Sequence, residues 1–77
     1  MAKSVILYSQ PSCVPCHQEE AFLAEKGVEF VVKDIRADKA ALKELLDAGF
    51  QSTPVTIIDG QAVVGFDQEK LVELLGL

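Results

Sequence analysis

The sequence predicts an α/β fold, a four-stranded mixed sheet flanked by three helices in the chain order β-α-β-α-β-β-α. Three observations carry that prediction. Strand-like and helix-like segments alternate through the first half, Asp59-Gly60 sits between two β-branched runs, and a leucine-bearing helical segment follows. A length of 77 residues leaves room for one hydrophobic core, so a single domain over residues 1–77 is expected. Folding a chain this short hides only about 60% of the surface its unfolded form exposes. The 49% apolar content favours a dense core.

Val5-Ile6-Leu7-Tyr8 is a continuous apolar run, as expected of a central strand covered on both faces. Ser9-Gln10-Pro11-Ser12 is turn-forming and leads straight to the first cysteine. From Cys13 to Lys26 the composition is helical, with Phe22 and Leu23 as its large apolar residues and Gly27 placed to end it. Within Val28 to Ile35, Phe30-Val31-Val32 reads as a second strand, parallel to the first because a helix connects them. The connection makes a right-handed βαβ unit. Asp38 is placed to cap a helix carrying Leu42, Leu45 and Leu46 on one face, and Gly49 to stop it. Val55–Ile58 and Gln61–Val64 form a hairpin, because Asp59-Gly60 supplies the positive φ angles of a type I′ turn. Asp67 can cap the last helix, which bears Leu71, Leu74 and Leu75.

Twelve acidic residues against seven basic ones give a net charge of −5, and the basic residues are scattered. Nucleic acid is therefore not an expected partner, because affinity for it rests on grouped phosphate-neutralising charge. Met1-Ala2-Lys3-Ser4 followed by a short apolar run is too little for a signal-peptide core or a membrane span. A cytoplasmic protein with no membrane association is expected, with a monomer as the default. That compartment keeps thiols reduced, so a close cysteine pair there suits catalysis or metal binding better than architecture. A bridge over so short a loop would also contribute little stability.

Cys13-Val14-Pro15-Cys16 is the strongest signal in the chain, because two intervening residues let the second sulfur reach the first across one helical turn. Cys13 falls at a strand-to-helix junction, where unpaired backbone N–H groups and the helix dipole favour a negative sulfur. Such settings lower a thiol pKa from about 8.5 into roughly the 3.5–7.5 range. Cys13 is thus the expected nucleophile and Cys16 the resolving thiol. Pro15 lies in the first helical turn, where its missing N–H breaks no intrahelical bond and its fixed φ stiffens the segment.

The run continues into His17 and so matches the C-x-x-C-H haem pattern. Covalent haem needs export and normally a distal ligand, yet Met1 and His17 are the only methionine and histidine. A closed zinc site needs four ligands, and no second cysteine pair exists. No metal or other cofactor is expected; the remaining metal reading pools the cysteines of two subunits around zinc or an iron–sulfur cluster. His17 is a helical neighbour of Cys13 and reads as an exposed polar residue, although an imidazolium there can favour the thiolate. Glu19 and Glu20 follow Cys16 by three and four positions. They can lie beneath that sulfur and take its proton, or simply be carboxylates favoured early in a helix, which is the preferred reading. Thr53-Pro54 directly precedes the third strand and is a candidate cis bond, one that would present the Thr53 backbone to an extended thiol substrate.

With Cys13-Val14-Pro15-Cys16-His17, Gly49-Phe50-Gln51-Ser52-Thr53-Pro54-Val55 and Gly65-Phe66-Asp67 on this element order, the chain resembles the glutaredoxin family along nearly its whole length. It is most similar to the glutaredoxin-like redoxins that donate electrons to ribonucleotide reductase. The resemblance implies a thioredoxin-like fold and a protein disulfide reductase, with Cys13 and Cys16 catalytic and Pro54 cis. Pro15, Thr53, Pro54, Gly65, Phe66 and Asp67 are then expected to border the substrate groove. It also implies a disulfide-containing protein substrate, ribonucleotide reductase among the candidates, and thioredoxin reductase or glutathione as reductant. Glutathione-using members typically carry a lysine where this chain has Gln10, and Gly-Gly-x-Asp-Asp where it has Val64-Gly65-Phe66-Asp67-Gln68. Two glutathione-binding features are therefore missing, which favours thioredoxin reductase. Asp67 can still hold the α-amino group of glutathione or serve only as a helix cap.

Overall fold

The seven expected elements form in the expected order. A computed structural model describes residues 4–77, so Met1-Ala2-Lys3, part of the reading of the N-terminus, lie outside the described residues. The elements are β1 (Val5–Ser9), α1 (Val14–Glu25), β2 (Val31–Asp34), α2 (Lys39–Asp47), β3 (Val55–Ile58), β4 (Gln61–Val64) and α3 (Gln68–Leu75). The strands lie in the order β2-β1-β3-β4. β1 runs parallel to β2 and antiparallel to β3, which pairs antiparallel with β4.

Alternation along the strands divides the core in two. Val5, Ile58 and Val63 pack with Leu23 of α1 and Leu71 of α3, and Phe30, Phe66, Leu74 and Leu75 close around them. On the opposite face Tyr8 and Val55 pack with Ala41 and Leu45 of α2, backed by Ile6, Ile35, Phe50 and Ile57.

The capping residues act as their chemistry dictates. The Asp38 carboxylate accepts from the N–H groups of Ala40 and Ala41, and that of Asp67 from Lys70. Asp59 and Gly60 have φ of 48° and 87°, the two positive values a type I′ turn requires. Asp59 also buckles the turn to the start of β1. Its carboxylate accepts from the Ser4 N–H at 2.8 Å, and its own N–H donates to the Ser4 carbonyl at 3.0 Å.

Three expectations are corrected. α1 begins at Val14 rather than Cys13, because Cys13 keeps an extended backbone (φ −90°, ψ 102°) and caps the helix. β2 begins at Val31, and Val31 and Val32 are 57% and 41% exposed because β2 is an edge strand. On α2 the core face is Ala41 with Leu45, while Leu42 and Leu46 are exposed. The two i,i+4 pairs sit about 100° apart around the helix, and the small Ala41 occupies the buried position. Among the described residues no helix is long and apolar enough to cross a membrane.

Candidate redox site

Cys13 and Cys16 are joined by a disulfide across the first turn of α1, with their Cα atoms 5.2 Å apart. The local sequence makes this turn. Pro11 and Ser12 reverse the chain after β1, the Cys13 N–H donates to the Gln10 carbonyl at 3.1 Å, and the His17 N–H donates to the Cys13 carbonyl at 3.3 Å. The Cys13 sulfur accepts the backbone N–H of Cys16 at 3.2 Å, filling the capping role that a serine or aspartate oxygen usually takes. The same N–H can stabilise negative charge on that sulfur once the disulfide opens.

Accessibility separates the two sulfurs. Cys13 retains 8% of its surface and Cys16 none. Val14, between them, is 64% exposed. Pro15 occupies the second helical position and is exposed, where its missing N–H leaves no intrahelical bond unmade.

Two further segments are tied to this turn. The Thr53–Pro54 peptide is cis, in line with the family resemblance, and Pro54 is buried. The Gln10 side-chain amide donates to the Thr53 hydroxyl at 3.0 Å, joining the loop before Cys13 to the loop before β3. This contact, between residues 43 apart, was not expected from the sequence. The Gly65 N–H donates to the Pro54 carbonyl at 2.9 Å, and the Asp67 N–H to the Gly65 carbonyl at 3.1 Å. Gly65 has φ of 78°, a conformation that favours glycine. Phe66 meets Phe22 of α1 edge-to-face, with ring centroids 5.8 Å apart.

His17 is exposed, with Nε2 donating to the Pro11 carbonyl at 2.9 Å and Nδ1 3.2 Å from the Glu20 carboxylate. Both ring nitrogens thus face groups other than the cysteines. Among the described residues no three His, Cys, Asp or Glu side chains gather closely enough to hold a metal ion.

The preferred expectation for Glu19 is overturned. Because α1 starts at Val14, its first turn carries no acidic residue and Glu19 falls in the second turn. Cys16, Glu19 and Leu23 form one stripe at i, i+3 and i+7, and none retains exposed surface. One Glu19 oxygen, Oε2, accepts a hydrogen bond from the Thr56 hydroxyl of β3; the other, Oε1, is buried without a partner. Burial pushes the carboxyl pKa up to about 7, against the opposing pull of the Thr56 hydrogen bond. The i, i+3, i+7 spacing was the available signal once the helix start was known.

A cysteine pair closed at a helix N-terminus and tied through Gln10 to a cis-proline loop, on this strand order, defines a thiol–disulfide oxidoreductase fold of the thioredoxin-like class. The chain belongs to the glutaredoxin family, whose model matches residues 5–63. It is similar to the Gene 56 protein of Mycobacterium phage D29, 33% identical over 79 residues, spanning 97% of this chain and 86% of that protein. The crystal structure of the thioredoxin-like protein BC3987 is 41% identical with a TM-score of 0.89, covering 94% of this chain and 100% of that one. NrdH-redoxin from Escherichia coli, a glutaredoxin-like protein, shares the fold with a TM-score of 0.85 at 24% identity, over 92% of this chain and 93% of that one.

Proposed function

We propose that this protein reduces protein disulfides in the cytoplasm through Cys13 and Cys16 and is itself recycled by thioredoxin reductase. The observation that carries the reading is the closed Cys13–Cys16 pair at the N-terminus of α1, in which Cys13 keeps a little exposed surface and Cys16 none.

In the proposed reaction the Cys13 thiolate attacks one sulfur of a substrate disulfide. A Cys13–substrate bond forms, and the other substrate sulfur departs with the electron pair and takes up a proton. Cys16 then loses its proton and attacks the Cys13 sulfur. The Cys13–Cys16 bond forms, the second substrate thiol leaves, and two electrons have passed from the dithiol to the substrate. Thr53 stands just outside the β1–β3 ladder, which begins at Val55, and is the proposed backbone contact for an extended substrate. Pro15, Pro54, Gly65, Phe66 and Asp67 are proposed to border the same groove. Ribonucleotide reductase is a substrate candidate on the family resemblance.

Two contacts support thioredoxin reductase over glutathione. Gln10, at the position of the family's glutathione-binding lysine, carries no charge and is engaged by Thr53. The Asp67 carboxylate is engaged in capping α3. The decisive experiment offers the oxidised protein either glutathione or NADPH with thioredoxin reductase and counts the thiols restored. Restoration by the reductase supports the proposal, and rapid reduction by glutathione alone overturns the choice of reductant. Cys13→Ser should abolish disulfide reduction, and Cys16→Ser should accumulate a mixed disulfide visible by intact mass. Full turnover by Cys13→Ser would refute the assignment.

A further inference from the structure

Cys16 has no exposed surface, so its thiol cannot hand a proton straight to solvent when it turns on the mixed disulfide. An acceptor inside the protein is needed. Glu19 lies one helical turn away on the same buried stripe of α1, a spacing that puts Cβ atoms about 5–6 Å apart, within the length of a glutamate side chain.

We infer that Glu19 accepts the Cys16 proton as Cys16 resolves the mixed disulfide, and returns it when the pair is reduced again. The inference rests on the dithiol reading above and assigns a proton acceptor to its second step. In that step the Cys16 S–H bond breaks and its proton moves to the Glu19 carboxylate. The sulfur's electron pair forms the bond to Cys13, and the Cys13–substrate bond breaks with its pair leaving on the substrate sulfur. No further oxidant or reductant enters.

The surroundings of Glu19 fit the role. Thr56 of β3 engages Oε2 only, and Oε1 is buried without a partner, a condition proteins rarely tolerate without use. Leu23, the next residue of the same stripe, packs with the apolar side chains Val5 of β1, Val63 of β4 and Leu71 of α3. Besides burial, the groups acting on the carboxyl are the Thr56 hydroxyl of β3 and, from its own helix, the charge of Glu20, which adds to the upward shift. With a pKa of about 7 the carboxyl can both take and return a proton near neutral pH.

The test uses the reduced protein and Ellman's reagent, an aromatic disulfide that releases one coloured thiol when Cys13 attacks and a second when Cys16 closes the ring. In the wild type the second release should speed up with pH through a midpoint near 7, as the Glu19 carboxyl ionises. Glu19→Gln keeps the shape and can still accept from Thr56. It should leave the first release unchanged and slow the second at least tenfold at neutral pH, with the midpoint near 7 lost. Thr56→Val leaves the carboxyl in place but removes the bond favouring its ionised form, so the midpoint should move to higher pH. A second release of wild-type rate and midpoint in Glu19→Gln, or an unmoved midpoint in Thr56→Val, overturns the inference while the dithiol reading stands. A wild type that releases no first equivalent overturns both.

Discussion

Glu19 and Glu44 lie on opposite sides of the same sheet and meet opposite surroundings. Glu44, on α2, receives the Lys33 ammonium at 3.0 and 3.1 Å on its two oxygens and the Tyr8 hydroxyl at 3.4 Å, with 45% of its side chain exposed. Glu19, on α1, is buried with a single hydrogen bond from Thr56. Helix phase alone separates them, since the stripe of α1 that faces the sheet runs through Cys16, Glu19 and Leu23, whereas that of α2 runs through Ala41 and Leu45. The α2 layer is therefore an ordinary apolar core with its carboxylate at the wet rim, and the α1 layer gives up stability to keep a titratable group beside the cysteines.

The two layers should nevertheless be equally indispensable to folding. Leu23 and Leu45 are the large apolar side chains that α1 and α2 bury, and replacing either by alanine should cost about 2–5 kcal/mol. A domain of this size has only roughly 4–12 kcal/mol to lose. Urea unfolding of both variants checks this, and a large loss for one with almost none for the other would break the symmetry.

The next largest effect should set the layers apart through pH. Burial raises the Glu19 pKa from 4.5 to about 7, so folding favours the neutral carboxyl, and that stabilisation is complete below pH 4.5. It declines as pH rises and is gone above about 7, a span worth about 3 kcal/mol. Glu19→Gln escapes the decline. Variant and wild type should unfold together near pH 4.5 and diverge by up to about 3 kcal/mol at pH 8, with the variant the more stable. Parallel stability curves would show that the carboxyl is hydrated after all.

The smallest effect belongs to Glu44. Glu44→Gln should leave the unfolding midpoint nearly unchanged, because exposed ion pairs contribute little. Its signature lies in Tyr8, whose pKa is raised by burial first and then by the Glu44 charge and hydrogen bond. The variant's phenolate absorbance should therefore appear at lower pH than in the wild type. No movement would mean that Glu44 has no part in setting the Tyr8 value.

Most of the frame was legible because its signals are local. Asp59-Gly60 specifies a turn from two adjacent residues, Asp38 and Asp67 cap helices within three residues of themselves, and Cys13 to Cys16 spans a single turn. What escaped prediction depends on distant partners or on phase. Gln10 meets Thr53 and Glu19 meets Thr56 only after β1 and β3 have paired. Leu42 and Leu46 were expected in the core because leucine is large and apolar, yet a one-residue difference in phase put the smaller Ala41 there. The cis bond before Val55 was implied by family resemblance, since composition cannot separate it from an ordinary trans proline.

The reciprocal bonds between Ser4 and Asp59 bear on how the molecule can be handled. They fasten the incoming chain at the end of β1 remote from Ser9, and a strand of five residues is roughly 17 Å long. An attachment made at Ser4 or Asp59 would therefore sit a strand's length from the loop that carries Cys13, leaving that residue open to partners arriving from solution.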